Sequence, residues 1–125
     1  MKLLLDEHID WRLKALFEAH EVFTVYDMGW LGKQNGELMA LIGENEFDIF
    51  LTIDKNIPYQ QNLNNLKSAL WVIDTPSSKR TTVASFIPII LEEIANIPEG
   101  LKPEKILKYI LIEGLSPQKK ILKNK

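Results

Sequence analysis

The stretch Phe50-Leu51-Thr52-Ile53-Asp54 is a short, nearly apolar run that ends at an aspartate. Runs of this length without polar alternation are typical of strands that are buried on both faces of a parallel sheet. The sequence therefore predicts four such strands, each with an acid just past its carboxyl end. The three other runs of this form are Leu3-Leu4-Leu5-Asp6, Phe23-Thr24-Val25-Tyr26-Asp27 and Leu70-Trp71-Val72-Ile73-Asp74.

Segments with a helical spacing of apolar residues separate or follow these runs, at residues 9–17, 38–42 and 83–94. Alternating strands and helices predict an α/β fold with a central, mainly parallel sheet. The chain has 125 residues and is 46% hydrophobic, which is ordinary for one packed domain. We expect that domain to span residues 1–114 and to be followed by a loose, lysine-rich C-terminal tail at 115–125.

Several local features refine this prediction. Asn35 stands where a helix N-cap belongs, which places Glu37 in the first helical turn. Pro88 lies inside the third helical pattern, so we expect either a kink there or a helix that starts near Ser85. Residues 103–114 fit both a helix and a strand, and we favour the strand.

The acids that follow the strands predict a metal site. In an open parallel sheet, ligands bind outside the carboxyl ends of the strands, where these acids are expected to gather. Neighbouring carboxylates repel one another unless protons or cations neutralise them, and hard oxygen ligands favour Mg²⁺ or Mn²⁺. Asp6 and Asp54 are the leading candidates, and Glu7 is a second choice beside Asp6. Asp27 fits a ligand and a turn residue equally, whereas Asp74 is more typical of a turn.

Composition excludes several other kinds of site. The chain has no cysteine, so it has no disulfide or thiolate metal site, and we expect a cytoplasmic protein. The first apolar run is too short for a signal peptide or a membrane span. The net charge is −2, but residues 99–125 carry seven lysines against three glutamates. That segment could contact a nucleic acid, although a solvated terminus is the simpler interpretation.

Other chemistry-bearing residues indicate no second site. His8 and His20 have no partner at metal-ligand spacing and no serine or cysteine nucleophile nearby, and the glycines match no nucleotide-binding fingerprint. Trp11, Trp30 and Trp71 fit packing roles better than base stacking.

Three segments that span about residues 2–97 resemble the small bacterial PIN-like proteins, which are related to toxin-type PIN-domain ribonucleases. The segments are Leu4-Leu5-Asp6-Glu7, Met28-Gly29-Trp30 through Asn35-Gly36-Glu37-Leu38, and Asp48-Ile49-Phe50-Leu51-Thr52-Ile53-Asp54-Lys55-Asn56 through Tyr59-Gln60-Gln61-Asn62-Leu63. The resemblance implies an α/β/α sandwich, a Mg²⁺ or Mn²⁺ site and hydrolysis of RNA phosphodiesters, often as the toxin of a toxin-antitoxin pair. Toxin-type relatives are commonly homodimers that a small antitoxin protein neutralises.

The resemblance also assigns roles to residues. It implies that Asp6, Glu37 and Asp54 are the catalytic, metal-binding acids, whereas Glu7 and Asp27 are further metal candidates from their positions alone. The residues expected to contact substrate or ordered water are Asn35, Gln61 and Asn62, and Lys55 is expected to contact a phosphate.

Two alternative functions stay open. A catalytically degenerate PIN-like domain would bind RNA or a protein without cutting, since the sequence lacks an unmistakable fourth acid. A phosphoacceptor domain like a response-regulator receiver would also have acids after strand 1, an aspartate such as Asp54 after strand 3, and a late Lys-Pro pair such as Lys102-Pro103.

Overall fold

The central sheet has six strands in the order β2-β1-β3-β4-β5-β6. The computed structural model describes residues 1–60, 66–105, 107–113 and 116–122. The first five strands are parallel, and β6 runs antiparallel to β5, which confirms the predicted α/β fold with a mainly parallel sheet. The strands are β1 (Lys2–Leu5), β2 (Glu21–Thr24), β3 (Ile49–Thr52), β4 (Ala69–Ile73), β5 (Leu107–Glu113) and β6 (Ser116–Leu122).

Helices cover both faces of the sheet. They are the 3₁₀ helix η1 (Trp11–Leu16), α1 (Asn35–Glu44), α2 (Ile57–Gln60), α3 (Arg80–Ala84) and α4 (Ile87–Ala95). Buried side chains of η1, α3 and α4 pack on one face, and those of α1 and α2 pack on the other. The three layers form an α/β/α sandwich, as predicted.

Alternation along the buried strands supplies both cores, because successive side chains of a strand point to opposite faces. In β3, Ile49 and Leu51 join the core under η1, α3 and α4, whereas Phe50 joins the core under α1 and α2. All three are fully buried. The apolar runs therefore encode a two-sided sheet rather than one with a solvated face.

The first helical segment is a 3₁₀ helix rather than the expected α-helix. Its backbone bonds span three residues: the N–H of Leu13 donates to the carbonyl of Asp10, and that of Phe17 to Lys14. The Asp10 carboxylate accepts the N–H of Arg12 at 3.0 Å and caps the helix. Such tighter turns suit the short connection between β1 and β2.

The other helix boundaries follow from local chemistry. The helix α1 starts at Asn35, so the N-cap is Gln34 and not Asn35, and Glu37 lies in the first turn as predicted. The third helical pattern is divided into α3 and α4. Pro88 lies in the first turn of α4, where its missing N–H would have no helical partner.

Beyond α4, the chain continues the sheet. The ambiguous residues 103–114 contain the strand β5, as we favoured. The expectation of a loose tail is wrong for residues 116–122, because they form β6 in a hairpin with β5. An antiparallel strand at this edge pairs with groups that β5 would otherwise expose.

Two glycines test the local backbone. Gly29 lies in the turn after β2 with φ of 73°, a left-handed conformation that disfavours a Cβ, whereas Gly43 lies inside α1. We expect Gly29→Ala to lower the free energy of unfolding by about 1 kcal/mol. Gly43→Ala should raise it by roughly 0.5–1 kcal/mol, because a Cβ there meets Lys67 no closer than 3.7 Å. Urea unfolding measures both changes in free energy, and changes of the same sign in the two variants would contradict these backbone conformations.

Candidate active site at the carboxyl ends of the strands

Asp6 is an acidic residue that is buried at the carboxyl end of β1. The parallel register pairs Leu5 with Leu51, so the next residues, Asp6 and Thr52, lie side by side on adjacent strands. The Thr52 hydroxyl donates to Asp6 Oδ2 at 2.7 Å, and the N–H of Glu7 donates to Asp6 Oδ1 at 2.9 Å. Asp6 is only 5% exposed and Thr52 is fully buried. The carboxyl group is therefore held rigidly at the end of β1.

Burial makes a negative charge on Asp6 unfavourable. It raises the pKa of the Asp6 carboxyl, although the hydrogen bonds from Thr52 and Glu7 act in the opposite direction. Among the described residues, no lysine or arginine forms an ion pair with Asp6. An external cation would supply the positive charge that no lysine or arginine of the described residues brings to Asp6.

The topology places Asp6 at the point where ligands bind in this type of sheet. From β1 the chain proceeds to β2 on one side and later to β3 on the other, so its direction across the sheet reverses between β1 and β3. Ligands of open α/β sheets bind in the crevice at the carboxyl ends of the two strands that flank such a reversal. Asp6 and Thr52 stand at those two ends.

Thr52 also connects Asp54 to this point. The backbone N–H of Asp54 donates to the Thr52 hydroxyl oxygen at 2.9 Å, so one hydroxyl binds both Asp6 and the start of the loop after β3. The Asp54 carboxylate accepts the N–H of Asn56 at 2.9 Å, which closes a tight turn. Asp54 is half-buried.

The other predicted acids are placed less centrally. Glu7 is exposed and lines a groove beside Asp6. Asp27 closes the turn after β2: its Oδ2 accepts the N–H of Thr24 at 2.9 Å and Lys14 Nζ at 3.0 Å. Both bonds lower the pKa of Asp27, and the bond from Thr24 makes the larger contribution. Asp27 thus has the turn role that the sequence left open as one of two.

Glu37, the predicted acid on α1, and Lys55, the predicted phosphate contact, each form an ion pair with another side chain. Glu37 pairs with Lys33 at 2.9 Å, and its side chain is 54% exposed. Lys55 Nζ lies 2.5 Å from Asp74 Oδ1. The remaining candidates are not placed by the structure, because Gln61, Asn62 and the side chain of Asn35 lie outside the described part of the chain.

The donor set fits a hydrated hard cation. Within the described residues, no group of three or more Asp, Glu or His side chains could hold a metal ion by itself. Mg²⁺ usually keeps several waters and is held by one or two carboxylates together with substrate phosphates. Carboxylate oxygens such as those of Asp6 and Asp54 are the type of donor that this mode of binding uses, and it does not require a cage of protein ligands.

An open groove of about 890 Å³ begins at Asp6 and runs past the ends of β1 and β2. Its walls carry two strongly exposed aromatic side chains, Trp11 at 67% and Tyr26 at 73%. Sequence reasoning missed both as candidates, because Trp11 was assigned to packing and Tyr26 to a buried strand. It also missed Thr52, whose signal was a polar residue inside an otherwise apolar buried run.

The receiver alternative meets an obstacle in the position of its lysine. The order of the five parallel strands matches that of receivers. Lys102, however, precedes β5 and pairs with Asp48 at 3.1 Å, just before β3 starts. Both residues lie at the amino ends of the strands, opposite Asp6 and Asp54. Lys102 therefore does not lie beside Asp54, the residue that would accept a phosphoryl group in a receiver.

The described part of the chain contains no helix that is long and apolar enough to cross a membrane. No known family model, curated protein or solved structure matches this chain.

Proposed function

We propose that this protein is a PIN-like ribonuclease that depends on Mg²⁺ or Mn²⁺ and hydrolyses phosphodiester bonds at the carboxyl ends of β1 and β3. The observation that carries the proposal is the buried Asp6 carboxyl group, which sits at the reversal of the sheet and forms no ion pair with a lysine or arginine of the described residues. A buried acid without a counter-charge is destabilising, and such groups are concentrated at functional sites.

The residues around the site would have distinct roles. Asp6 and Asp54 would hold the cation, which when bound supplies positive charge to the phosphate and lowers the pKa of a water molecule. Thr52 orients the Asp6 carboxyl group through its 2.7 Å hydrogen bond and is therefore a positioning residue. Glu7 and Glu37 would contribute negative charge at longer range. Lys55 would have to leave Asp74 to contact a phosphate.

The biological setting forms part of the same proposal and is supported by the resemblance to toxin-type PIN-like proteins. The protein would act in the cytoplasm on RNA, as the toxin of a toxin-antitoxin pair. It would assemble as a homodimer and be neutralised by a small antitoxin protein.

Cleavage of a mixed RNA pool tests the proposed activity directly. We expect cutting with Mn²⁺ or Mg²⁺ and none with EDTA. Asp54→Asn is expected to remove this cutting while leaving the melting temperature nearly unchanged, because the amide oxygen can still accept the N–H of Asn56. Glu18→Gln, at an exposed acid two residues after the end of η1, serves as the control and should cut normally. Cutting by Asp54→Asn at the rate of the control would refute the role of Asp54.

A second candidate function is RNA or protein binding without cleavage. It is favoured by the finding that the described residues contain no group of three metal-binding side chains. A folded wild-type protein that retains RNA in a binding assay, yet cuts none of it with either metal, would establish this alternative. Stoichiometric phosphorylation by acetyl phosphate would instead support a receiver-like domain.

A further inference from the structure

A cavity of about 460 Å³ lies between the end of α4, the strands β4 and β5, and the connection from α4 to β5. It is found at the amino end of β5, because residues 101–104, which line it, lead into that strand. Asp6 lies at the opposite edge of the sheet, and the proposed nuclease uses none of the residues that line this cavity. We propose that the cavity binds a small, uncharged amide whose carbonyl oxygen accepts hydrogen bonds from Trp71 and Lys108. This inference is independent of the proposed nuclease activity.

Trp71 provides a hydrogen-bond donor that has no acceptor. The residue is 1% exposed and lines the cavity. Among the described residues, its indole nitrogen Nε1 is the one buried side-chain polar atom without a hydrogen-bond partner. Buried indole N–H groups usually find an acceptor, and an unpaired buried donor is unfavourable. A ligand oxygen in this cavity would supply the missing acceptor.

Lys108 adds further donors beside the indole group. The register of β4 and β5 pairs Trp71 with Lys108, and the Lys108 ammonium group lies 4.7 Å from the centre of the Trp71 ring. Lys108 Nζ donates to Glu93 Oε1 at 2.9 Å, which engages one of its three N–H groups. An amide oxygen has two acceptor sites, so one ligand oxygen can accept from Trp71 and from Lys108.

The charges that line the cavity favour an uncharged ligand. Two acids, Glu93 and Glu104, are balanced by two lysines, Lys102 and Lys108. Glu93 and Lys108 pair with each other, and their side chains are only 12% and 13% exposed. A charged ligand beside this pair would bring an uncompensated charge into a largely buried place, which is costly. A neutral amide supplies an acceptor without that cost.

The rest of the lining suits an apolar body on the ligand. Ile97, Pro98, Leu101 and Pro103 form much of the wall. Pockets for small molecules typically combine apolar walls with a few polar groups, in a volume of roughly 300–1,000 Å³. The cavity has this composition and a volume within that range. A cyclic amide, with one carbonyl group on an apolar ring, therefore matches the donors, the charge balance and the walls together.

Entry of the ligand oxygen requires the wall of the cavity to shift, because Trp71 Nε1 has almost no surface open to solvent. The wall that moves is the connection from α4 to β5, whose residues 97–105 form neither helix nor strand. An ion pair of this connection joins Lys102 to Asp48 at 3.1 Å, and the lysine side chain is 75% exposed. Exposed pairs of this kind contribute little to stability, so this pair offers little resistance to the shift.

NMR of the ¹⁵N-labelled wild-type protein tests the inference, with ε-caprolactam as the probe and the indole N–H signals of the three tryptophans as the readout. We expect a saturable shift of the Trp71 indole signal, with a Kd on the order of 1 mM. The indole signal of Trp30, which is buried on the other face of the sheet, should not move. A spectrum of Trp71→Phe identifies the Trp71 signal by its loss.

Variants and charged probes test the two parts of the inference separately. Trp71→Phe keeps a buried ring but has no N–H, so it should weaken caprolactam binding about tenfold in ligand-observed NMR. Trp30→Phe is the matched control and should keep the wild-type Kd. Azepane and cyclohexanecarboxylate, a cation and an anion of similar size, should bind at least about tenfold more weakly than caprolactam.

Three results would overturn the inference. The first is a Trp71 indole signal that does not shift at caprolactam concentrations about ten times the expected Kd. This result needs only the wild-type protein, so it decides the question even where Trp71→Phe fails to fold. The second is equal affinity of Trp71→Phe and Trp30→Phe, which would exclude the indole N–H as a donor to the ligand. The third is tighter binding of either charged probe, which would show that the cavity does not select an uncharged ligand.

Discussion

Asp6→Asn is expected to reduce metal-dependent RNA cleavage by at least about a hundredfold and to raise the melting temperature at neutral pH. Both effects have one cause. Burial disfavours the charge on Asp6, and that charge is the feature proposed to attract the metal. An uncharged amide of the same shape removes the unfavourable buried charge together with the proposed metal ligand. A gain in stability that accompanies a loss of activity is typical of functional sites.

The pH dependence of this gain has a defined sign. The pKa of Asp6 is higher in the folded protein than its ordinary value of 3.8 in the unfolded chain. Below about pH 3.8 the group is largely protonated in both states, so burial of Asp6 costs the wild type little stability there. As the pH rises through the folded pKa, ionisation costs more in the folded state and stability falls. The advantage of Asp6→Asn should therefore be largest at neutral pH and vanish on acidification.

Asp10→Asn is a control of opposite sign. The pKa of Asp10 is lowered to about 2 through its contacts with Arg12, so its contribution to stability is present above its ordinary pKa and lost on acidification. At neutral pH we therefore expect Asp6→Asn to melt at a higher temperature than the wild type and Asp10→Asn to melt at a lower one. A lower melting temperature for Asp6→Asn at pH 7 would contradict the inferred burial penalty.

The amide can keep both contacts, with one hydrogen bond reversed, which is why we expect little structural change. Its oxygen can accept the N–H of Glu7, and its NH₂ group can donate to the Thr52 hydroxyl oxygen, whose own hydrogen then turns away from residue 6. That oxygen has two acceptor sites and already accepts the N–H of Asp54. Mn²⁺ should raise the melting temperature of the wild type by mass action and leave Asp6→Asn unchanged. Equal shifts in the two proteins would place the metal elsewhere.

Glu93→Ala is expected to lower the free energy of unfolding by about 3 kcal/mol. Glu93 Oε1 lies 2.9 Å from Lys108 Nζ, and their side chains are only 12% and 13% exposed. The Lys108 ammonium group also lies 4.7 Å from the centre of the Trp71 ring. Removal of Glu93 leaves that charge largely buried, and the ring offsets only part of the loss. Urea unfolding of Glu93→Ala, Lys108→Ala and the double variant gives the coupling between the two residues.

Lys33→Ala provides the comparison at the surface. Lys33 and Glu37 form an ion pair of the same 2.9 Å length in α1 and the segment before it, but their side chains are 38% and 54% exposed. Solvent screens such a pair, so its loss should change stability by less than about 1 kcal/mol. Similar effects from Glu93→Ala and Lys33→Ala would show that burial does not strengthen the Glu93–Lys108 pair.

Much of the fold could be predicted because it depends on local chemistry. The strands β1, β3 and β4 are short apolar runs that stop one or two residues before an aspartate, and the structure ends them at Leu5, Thr52 and Ile73. The alternation within each run encodes two buried faces without reference to any distant residue. The position of Asp6 past a buried strand was visible for the same reason.

The structure of two other segments could not be predicted, because their local preferences are weak and neighbouring elements decide their conformation. Residues 9–17 have the spacing of an α-helix, yet the cap at Asp10 and the short connection select a 3₁₀ helix. Residues 116–122 look like a solvated tail, and only a partner strand makes them β6. Intrinsic preferences were weak in both segments, so neighbouring elements determined the outcome.

The sequence by itself determined the α/β class, the two-sided sheet and the presence of acids at the carboxyl ends of its strands. Only the tertiary structure decided which side chains surround each of those acids. The contact between Asp6 and Thr52 joins residues 46 positions apart and depends on the register of β1 against β3. The exposure of Trp11 and Tyr26 is likewise a property of what surrounds them. Register and burial arise from contacts between distant segments, and a local sequence pattern does not specify those contacts.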